Sequence, residues 1–231
     1  MNRDKIYIEK IGDAGKNTVW LVDGEYIRKN INENFVGYDE HYHLSFIPLN
    51  EFWIDKTTNP EEWDFFINRL TVEKREIEKG KSKEDATRIA KNFEKKERSK
   101  YIHIKEKTDG KETKKEIIEK IHIKIISKGE DKLKIWLVDG KVVRNYLFND
   151  YSEGGHDLVY SFIPKGEVWI ENTLSPEEIK FVTLHEIHER YLMSHGKDYK
   201  HAHMGATIIE DRYRGQSLDI DKRTEEEIEK N

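Results

Sequence analysis

Short runs rich in β-branched residues alternate with polar turns along this chain, then give way to longer stretches with helical spacing. In the C-terminal half, Ile121 to Ile126 and Leu133 to Val138 read as strands, because branched side chains pack well on a pleated surface. Asp139-Gly140 predicts a hairpin turn, since Gly tolerates the positive φ that such turns demand. Val142-Val143 then begins the return strand. Beyond a polar stretch over 149–156, Val159 to Ile163 and Val168 to Ile170 predict a second hairpin, turning at Pro164-Lys165-Gly166. Ser175-Pro176-Glu177-Glu178 marks a helix start, with Ser as N-cap, Pro at the first position and acids in the first turn. That helix runs to Ser194 and stops at Gly196. A second helix runs from Tyr199 to Arg214.

The same pattern occurs twice. A shift of 116 positions lays Trp20-Leu21-Val22-Asp23-Gly24 on Trp136-Leu137-Val138-Asp139-Gly140, Ser45-Phe46-Ile47-Pro48 on Ser161-Phe162-Ile163-Pro164, and Pro60-Glu61-Glu62 on Pro176-Glu177-Glu178. The register holds without a gap to Arg98 and Arg214, with about 25 identities in roughly 79 pairs. The expected fold is α+β, a tandem duplication in which each copy is a small antiparallel sheet followed by a two-helix hairpin. The first copy spans 1–98, a linker 99–120, the second copy 121–215 and a charged tail 216–231. Within the linker, Tyr101-Ile102-His103-Ile104 suggests a strand, Asp109-Gly110-Lys111 a turn, and Glu112 to Lys120 a short charged helix. The tail from Ile220 is expected to fray. The recurrent Trp20, Trp53, Trp136 and Trp169 read as core or hairpin packing.

Composition narrows the function. With 41 basic and 46 acidic residues the net charge is -5, which argues against a dedicated nucleic-acid binder. The absence of cysteine excludes disulfides, thiolate metal sites and a Cys nucleophile. No apolar run approaches ~18 residues, so no membrane span is expected. No apolar segment follows the first residues as in a leader, which makes the cytoplasm the expected compartment. Lys, Glu and Ile are abundant and Gln occurs once, a composition suited to ion-pair networks at high temperature. Nucleotide-binding glycine loops and a Ser nucleophile elbow are absent.

The two copies differ in their histidines. Six of the ten lie between His156 and His203, and none has a histidine at its partner position: His156 faces Glu40, His185 faces Arg69, and His203 faces Thr87. Glu189 and Glu210, in contrast, match Glu73 and Glu94. This is the pattern of a site kept in one copy and lost in the other. On a helix, His185 and Glu189 share a face with Cβ atoms about 5–6 Å apart, a gap that one divalent ion can bridge. Glu186 lies beside the first ligand, where a general base would stand. In an antiparallel hairpin His203 packs opposite that pair. The expected ligands are His185, Glu189 and His203, with water at an open position. Glu210 is a fourth ligand or a carboxylate orienting a histidine, and His156, which follows Gly154-Gly155 in a loop, is likewise a fourth ligand or a supporting residue that can hold substrate or stabilise developing negative charge. Glu189 and Glu210 can alternatively hold Arg190 or Arg214 in structural ion pairs. His195 and His201 read as solvated surface residues, and His188 as a bridge near Glu189.

The run His185-Glu186-Ile187-His188-Glu189-Arg190 resembles the helix of zincin-type metallopeptidases, with a carboxylate in place of the second imidazole. The longer string through Gly196, Tyr199 and Ala202-His203 to Glu210, with the Trp-Leu-Val-Asp-Gly start and the Gly-Gly-His segment, is similar to a family of uncharacterised prokaryotic and phage proteins. That family carries no established activity. The short peptidase resemblance implies a metal-dependent hydrolase acting on a peptide or other small amide substrate, with one divalent ion, most simply zinc, and Glu186 as base. The alternative is a non-enzymatic module in which metal, or a His/Glu cluster, locks the hairpin and the copies form an interaction surface. A third is a nucleic-acid-associated factor using Lys-rich patches. Sequence alone leaves the oligomeric state open.

Overall fold

The structure, a computed structural model, describes residues 3–128, 133–216 and 218–231. Met1 and Asn2, on which part of the leader reading rests, lie outside them. The chain divides into two compact units, Met1–Thr113 with Val143–Asp150, and Lys114–Val142 with Tyr151–Asn231.

In the first unit β1 (Tyr7–Ala14) and β2 (Asn17–Val22) form an antiparallel pair. The chain then enters α1 (Gly24–Asn30), β3 (Tyr38–Glu40), β4 (Glu51–Asp55) and the helices α2 (Trp63–Glu78) and α3 (Lys83–Asp109). Residues 114–121 form α4 (Lys114–Ile121). The second unit continues with β5 (His122–Lys128), β6 (Lys134–Val138), β7 (Gly154–His156) and β8 (Glu167–Glu171); α5 (Gly140–Tyr146), between β6 and β7 in the chain, starts in this unit and ends in the stretch Val143–Asp150 that belongs to the first. Three helices follow: α6 (Pro176–Ser194), α7 (Tyr199–Gly215) and α8 (Ile220–Lys230). The fold is α+β. The two sheets share one strand order, β1-β2-β4-β3 and β5-β6-β8-β7, and pair Trp20 with Trp53 as they pair Trp136 with Trp169.

The sheets are mixed, not antiparallel as the sequence suggested: β2 runs parallel to β4, and β6 to β8. The cause is the Asp-Gly pair, which starts a helix where a hairpin was expected. Asp23 accepts the Tyr26 N–H at 3.0 Å, and Asp139 accepts that of Val142 at 3.1 Å, so both are N-caps. Gly24 and Gly140 are required by close approach: a Cβ on either would overlap the carboxylate of Asp55 or Glu171. Val142-Val143 therefore lies in α5, not in a return strand. The helix carries the chain away from the sheet edge, and the returning strand pairs in parallel, as a crossover connection allows.

Three further expectations are corrected. The second antiparallel pair uses Gly154–His156 instead of 159–163; there the chain makes successive turns, with Val159 and Tyr160 N–H groups on the His156 carbonyl. Tyr101 to Ile104 belongs to α3, because nothing interrupts the Lys- and Glu-rich, helix-favouring run before Gly110. The tail forms α8, capped by Asp219 and anchored by buried Ile228 and Glu227, so packing outweighs the fraying its charge suggested. The helix start at Ser175 is as expected, its Oγ accepting the Glu178 N–H at 3.2 Å.

Trp53 and Trp169 are fully buried, and each donates its indole N–H two residues back, to Glu51 at 2.8 Å and Glu167 at 2.9 Å. In the second unit Val168 and Ile170 of the sheet pack with Val182 and Ile187 of α6 and Ile228 of α8. This burial fixes which face of α6 turns away from the core. Among the described residues no helix is long and apolar enough to cross a membrane.

Candidate metal centre

α6 and α7 run antiparallel through a turn at Gly196, as the spacing predicted. The hairpin brings His185 and Glu189 of α6 against His203 of α7. His203 Nδ1 lies 2.7 Å from Glu189 Oε2 and 3.1 Å from His185 Nε2, and His185 Nε2 lies 3.7 Å from the same Oε2. One ligand-type atom from each residue falls within 4.8 Å of the others. Tetrahedral ligands about 2.1 Å from a zinc ion would stand about 3.4 Å apart, so this triangle is close to the required size. Glu189 is buried, whereas half of the His203 side chain (50%) is exposed, so the cluster opens to solvent on the α7 side.

A layer of ion pairs supports it. Glu210 Oε2 lies 2.7 Å from His185 Nδ1, the ring nitrogen opposite the one in the triangle. Glu210 Oε1 accepts from Arg214 Nε at 2.8 Å, and Arg214 reaches both Glu178 oxygens at 2.6 and 2.8 Å. The guanidinium rests on the Phe181 ring, 4.3 Å from its centroid. The ion pair expected between Glu210 and Arg214 is thus present, while Arg190 turns to Asp157 at 2.7 Å.

His156 lies in β7 and is fully buried, not in a solvent-facing loop. Its Nδ1 accepts the Leu158 N–H at 3.2 Å, and its Nε2 lies 3.0 Å from Glu189 Oε1. An acceptor Nδ1 places the proton on Nε2, assigning the neutral Nε2–H tautomer, which donates to Glu189. His156, Glu186 and Glu189 also offer ligand-type atoms within 4.8 Å, a second cluster that shares Glu189 with the first. The Glu186 carboxylate makes no hydrogen bond to a described residue. A Cβ at Gly154 would stand 2.9 Å from Glu186 Oε1 and 2.8 Å from Val182 Cγ1. Glycine in β7 therefore makes room for Glu186, a requirement the sequence pattern did not reveal.

The remaining histidines stand apart. His188 faces α8, with Nδ1 3.1 Å from Glu227 Oε2, and so does not bridge near Glu189. The exposed His201 pairs with Asp198 at 2.7 Å, and His195 sits on the Tyr191 carbonyl at 2.8 Å. Tyr199, at the first position of α7, stacks on His203 with ring centroids 5.5 Å apart and planes at 24°.

Charge follows this geometry. Burial raises the Glu186 carboxyl to about 7, the neighbouring imidazoles offsetting part of the effect. Burial disfavours charge on Glu189 too, but hydrogen bonds from His156, His185 and His203 outweigh it and hold that carboxyl well below the usual range. Burial opposes the His185 imidazolium, yet Glu189 and Glu210 raise it to about 10.

The first unit provides an internal control. There Arg98 Nε bonds Glu94 at 2.8 Å and Arg98 NH1 bonds Glu62 at 2.8 Å, matching Arg214 with Glu210 and Glu178. Arg69, in the place of His185, bonds Glu94 Oε2 at 3.0 Å. Glu73, in the place of Glu189, accepts from the Thr87 hydroxyl and lies 2.9 Å from His43 Nε2. The supporting ion pairs are common to both units, whereas the histidines at the positions of His185 and His203 are confined to the second, Arg69 and Thr87 standing there in the first. No known protein family, curated protein or solved structure matches the chain.

Proposed function

We propose that the second unit binds one divalent ion, most simply zinc, through His185 Nε2, Glu189 Oε2 and His203 Nδ1, and hydrolyses an amide bond there. The observation that carries this reading is the convergence of those three atoms, with edges of 2.7, 3.1 and 3.7 Å, on the open side of the hairpin. When bound, the ion supplies Lewis acidity and lowers the pKa of a water toward about 7. Glu186 accepts the proton of the attacking water and returns it to the leaving group. It is suited to this by a carboxyl raised to about 7 and by having no hydrogen bond to a described residue that would tie it down. His156 donates to the second Glu189 oxygen, and Glu210 accepts from His185 Nδ1, so each fixes the direction of a ligand. Three ligands leave a position open, as catalytic sites do. A closed structural site would need Glu210 as a fourth, and Glu210 faces the opposite edge of the imidazole. Glu189 stands where the metallopeptidase helix that this string resembles has its second histidine.

The shared strand order, Asp-Gly caps and arginine–glutamate layers also support a tandem duplication. In this reading the first copy replaced the ion with the Arg69 guanidinium and the Thr87 hydroxyl and became a partner without chemistry.

The test is elemental analysis of wild type, His185→Ala and Glu186→Gln, followed by incubation with a library of internally quenched peptides. Wild type retains about one ion per chain and cleaves, Glu186→Gln retains the ion and does not cleave, and His185→Ala loses both. Turnover unchanged in Glu186→Gln would remove its role as base. Metal without turnover in any form would favour the structural module.

A further inference from the structure

Tyr199 follows the N-cap Asp198 directly and lies over the most exposed ligand of the proposed centre. Its ring is close to parallel with that of His203, and 49% of the residue is exposed. Its hydroxyl makes no hydrogen bond to a described residue. In the first unit, which lacks the imidazoles, Lys83 holds this position, so the aromatic ring accompanies the ligand set. We propose that Tyr199 contacts substrate: its hydroxyl donates a hydrogen bond to an oxygen held at the open position beside His203. The proposal rests on the metal reading above and adds to it the class of group recognised, a carbonyl or tetrahedral oxygen that gains negative charge as the bond breaks.

Two observations converge on this role. Stacking holds the ring against a ligand of the centre, so the phenol is an attached part of the site and not a loose surface side chain. Half of the residue faces solvent on the side where His203 is also half exposed, which is where a substrate arrives. A hydroxyl with no hydrogen bond to a described residue can form one when a charged acceptor is present, and bonds to charged groups contribute more than neutral ones.

Cobalt(II) is the probe metal and acetohydroxamate, a small oxygen chelator, the probe ligand. Wild type and Tyr199→Phe are titrated with cobalt and then with acetohydroxamate, following the visible cobalt spectrum. Both take up cobalt with the same affinity and spectrum, because the stacked ring is kept. Acetohydroxamate binds Tyr199→Phe about tenfold or more weakly, the loss expected for one hydrogen bond to a charged acceptor. Equal acetohydroxamate affinity in the two cobalt proteins overturns the role of Tyr199 and leaves the metal centre standing. Cobalt uptake by wild type with no acetohydroxamate binding overturns the open position, and Tyr199 with it. No cobalt uptake by wild type removes the metal reading itself.

Discussion

His185 Nδ1 lies 2.7 Å from Glu210 Oε2, and at the same register of the other hairpin Arg69 NH1 lies 3.0 Å from Glu94 Oε2. One carboxylate position thus supports an imidazole in one unit and a guanidinium in the other. A guanidinium offers donors only, whereas an imidazole that donates from Nδ1 presents a lone pair at Nε2. Once an ion displaces the Nε2 proton, Glu210 would therefore hold the remaining proton of His185 on Nδ1. Replacing it by Gln is expected to weaken zinc affinity by about 10–100-fold without abolishing binding, the usual effect of losing a carboxylate behind a ligating histidine. Competition with a chromophoric chelator measures this, and unchanged affinity would show that Glu210 serves only Arg214.

Gly154 lacks a side chain where Glu186 and Val182 approach β7. In Gly154→Ala the methyl would stand 2.9 Å from a Glu186 oxygen, so the carboxylate must move. Displacement of a base by about 1 Å costs on the order of 100-fold in rate. The variant should keep its zinc and lose peptide cleavage. Full activity in a folded Gly154→Ala protein would contradict the placement of Glu186.

Arg98 is nearly unexposed and bonds both Glu62 and Glu94, which are also buried. Arg98→Met removes one of the two guanidiniums on each carboxylate, Arg144 remaining on Glu62 and Arg69 on Glu94, at a cost of about 1.5–3 kcal/mol, that of lost hydrogen bonds to charged groups. By contrast, Arg88→Ala removes an exposed pair with Asp85 and should cost under about 1 kcal/mol. Urea unfolding of the two variants decides the matter, and equal midpoints would mean that the buried layer contributes no more than a surface pair.

His43 lies between Asp39 and Glu73, at 3.2 and 2.9 Å. Hydrogen bonds that its ring donates to these carboxylates raise its imidazolium from 6.5 to about 9 despite burial. Because the folded value lies above the unfolded one, the contribution is fully present below pH 6.5 and is lost as pH rises through about 9. The stability difference between wild type and His43→Gln, measured by urea midpoints, should be largest below pH 6.5 and vanish above about 9. A difference independent of pH would show that the imidazole acts without its charge.

Local signals in the sequence specify the helices of the site well. Ser175 and Pro176 start α6, Gly196 ends it, and the spacing of His185, Glu189 and His203 follows from 3.6 residues per turn. The comparison of copies separated Arg214, Glu210 and Glu178, which recur, from the histidines, which do not. The sheet was less legible, because Asp139-Gly140 has the same composition in a hairpin as in an N-cap. Only the Glu171 carboxylate against Gly140, a contact 31 positions away in the chain, separates the two. For His156 the difficulty was similar. Gly154-Gly155 suggested a loop, but these glycines lie in a strand because α6 and the Tyr160 ring come within 3 Å of where their Cβ atoms would be. Tyr199 gave no periodic signal, since its role depends on the stack with His203.

Equilibrium dialysis against zinc, comparing wild type with the double variant His185→Ala/His203→Ala, tests the central claim most directly. The account predicts about one zinc per chain in wild type and none in the variant at the same free zinc, since two of three ligands are gone. Zinc retained by the double variant, or absent from wild type, would contradict it.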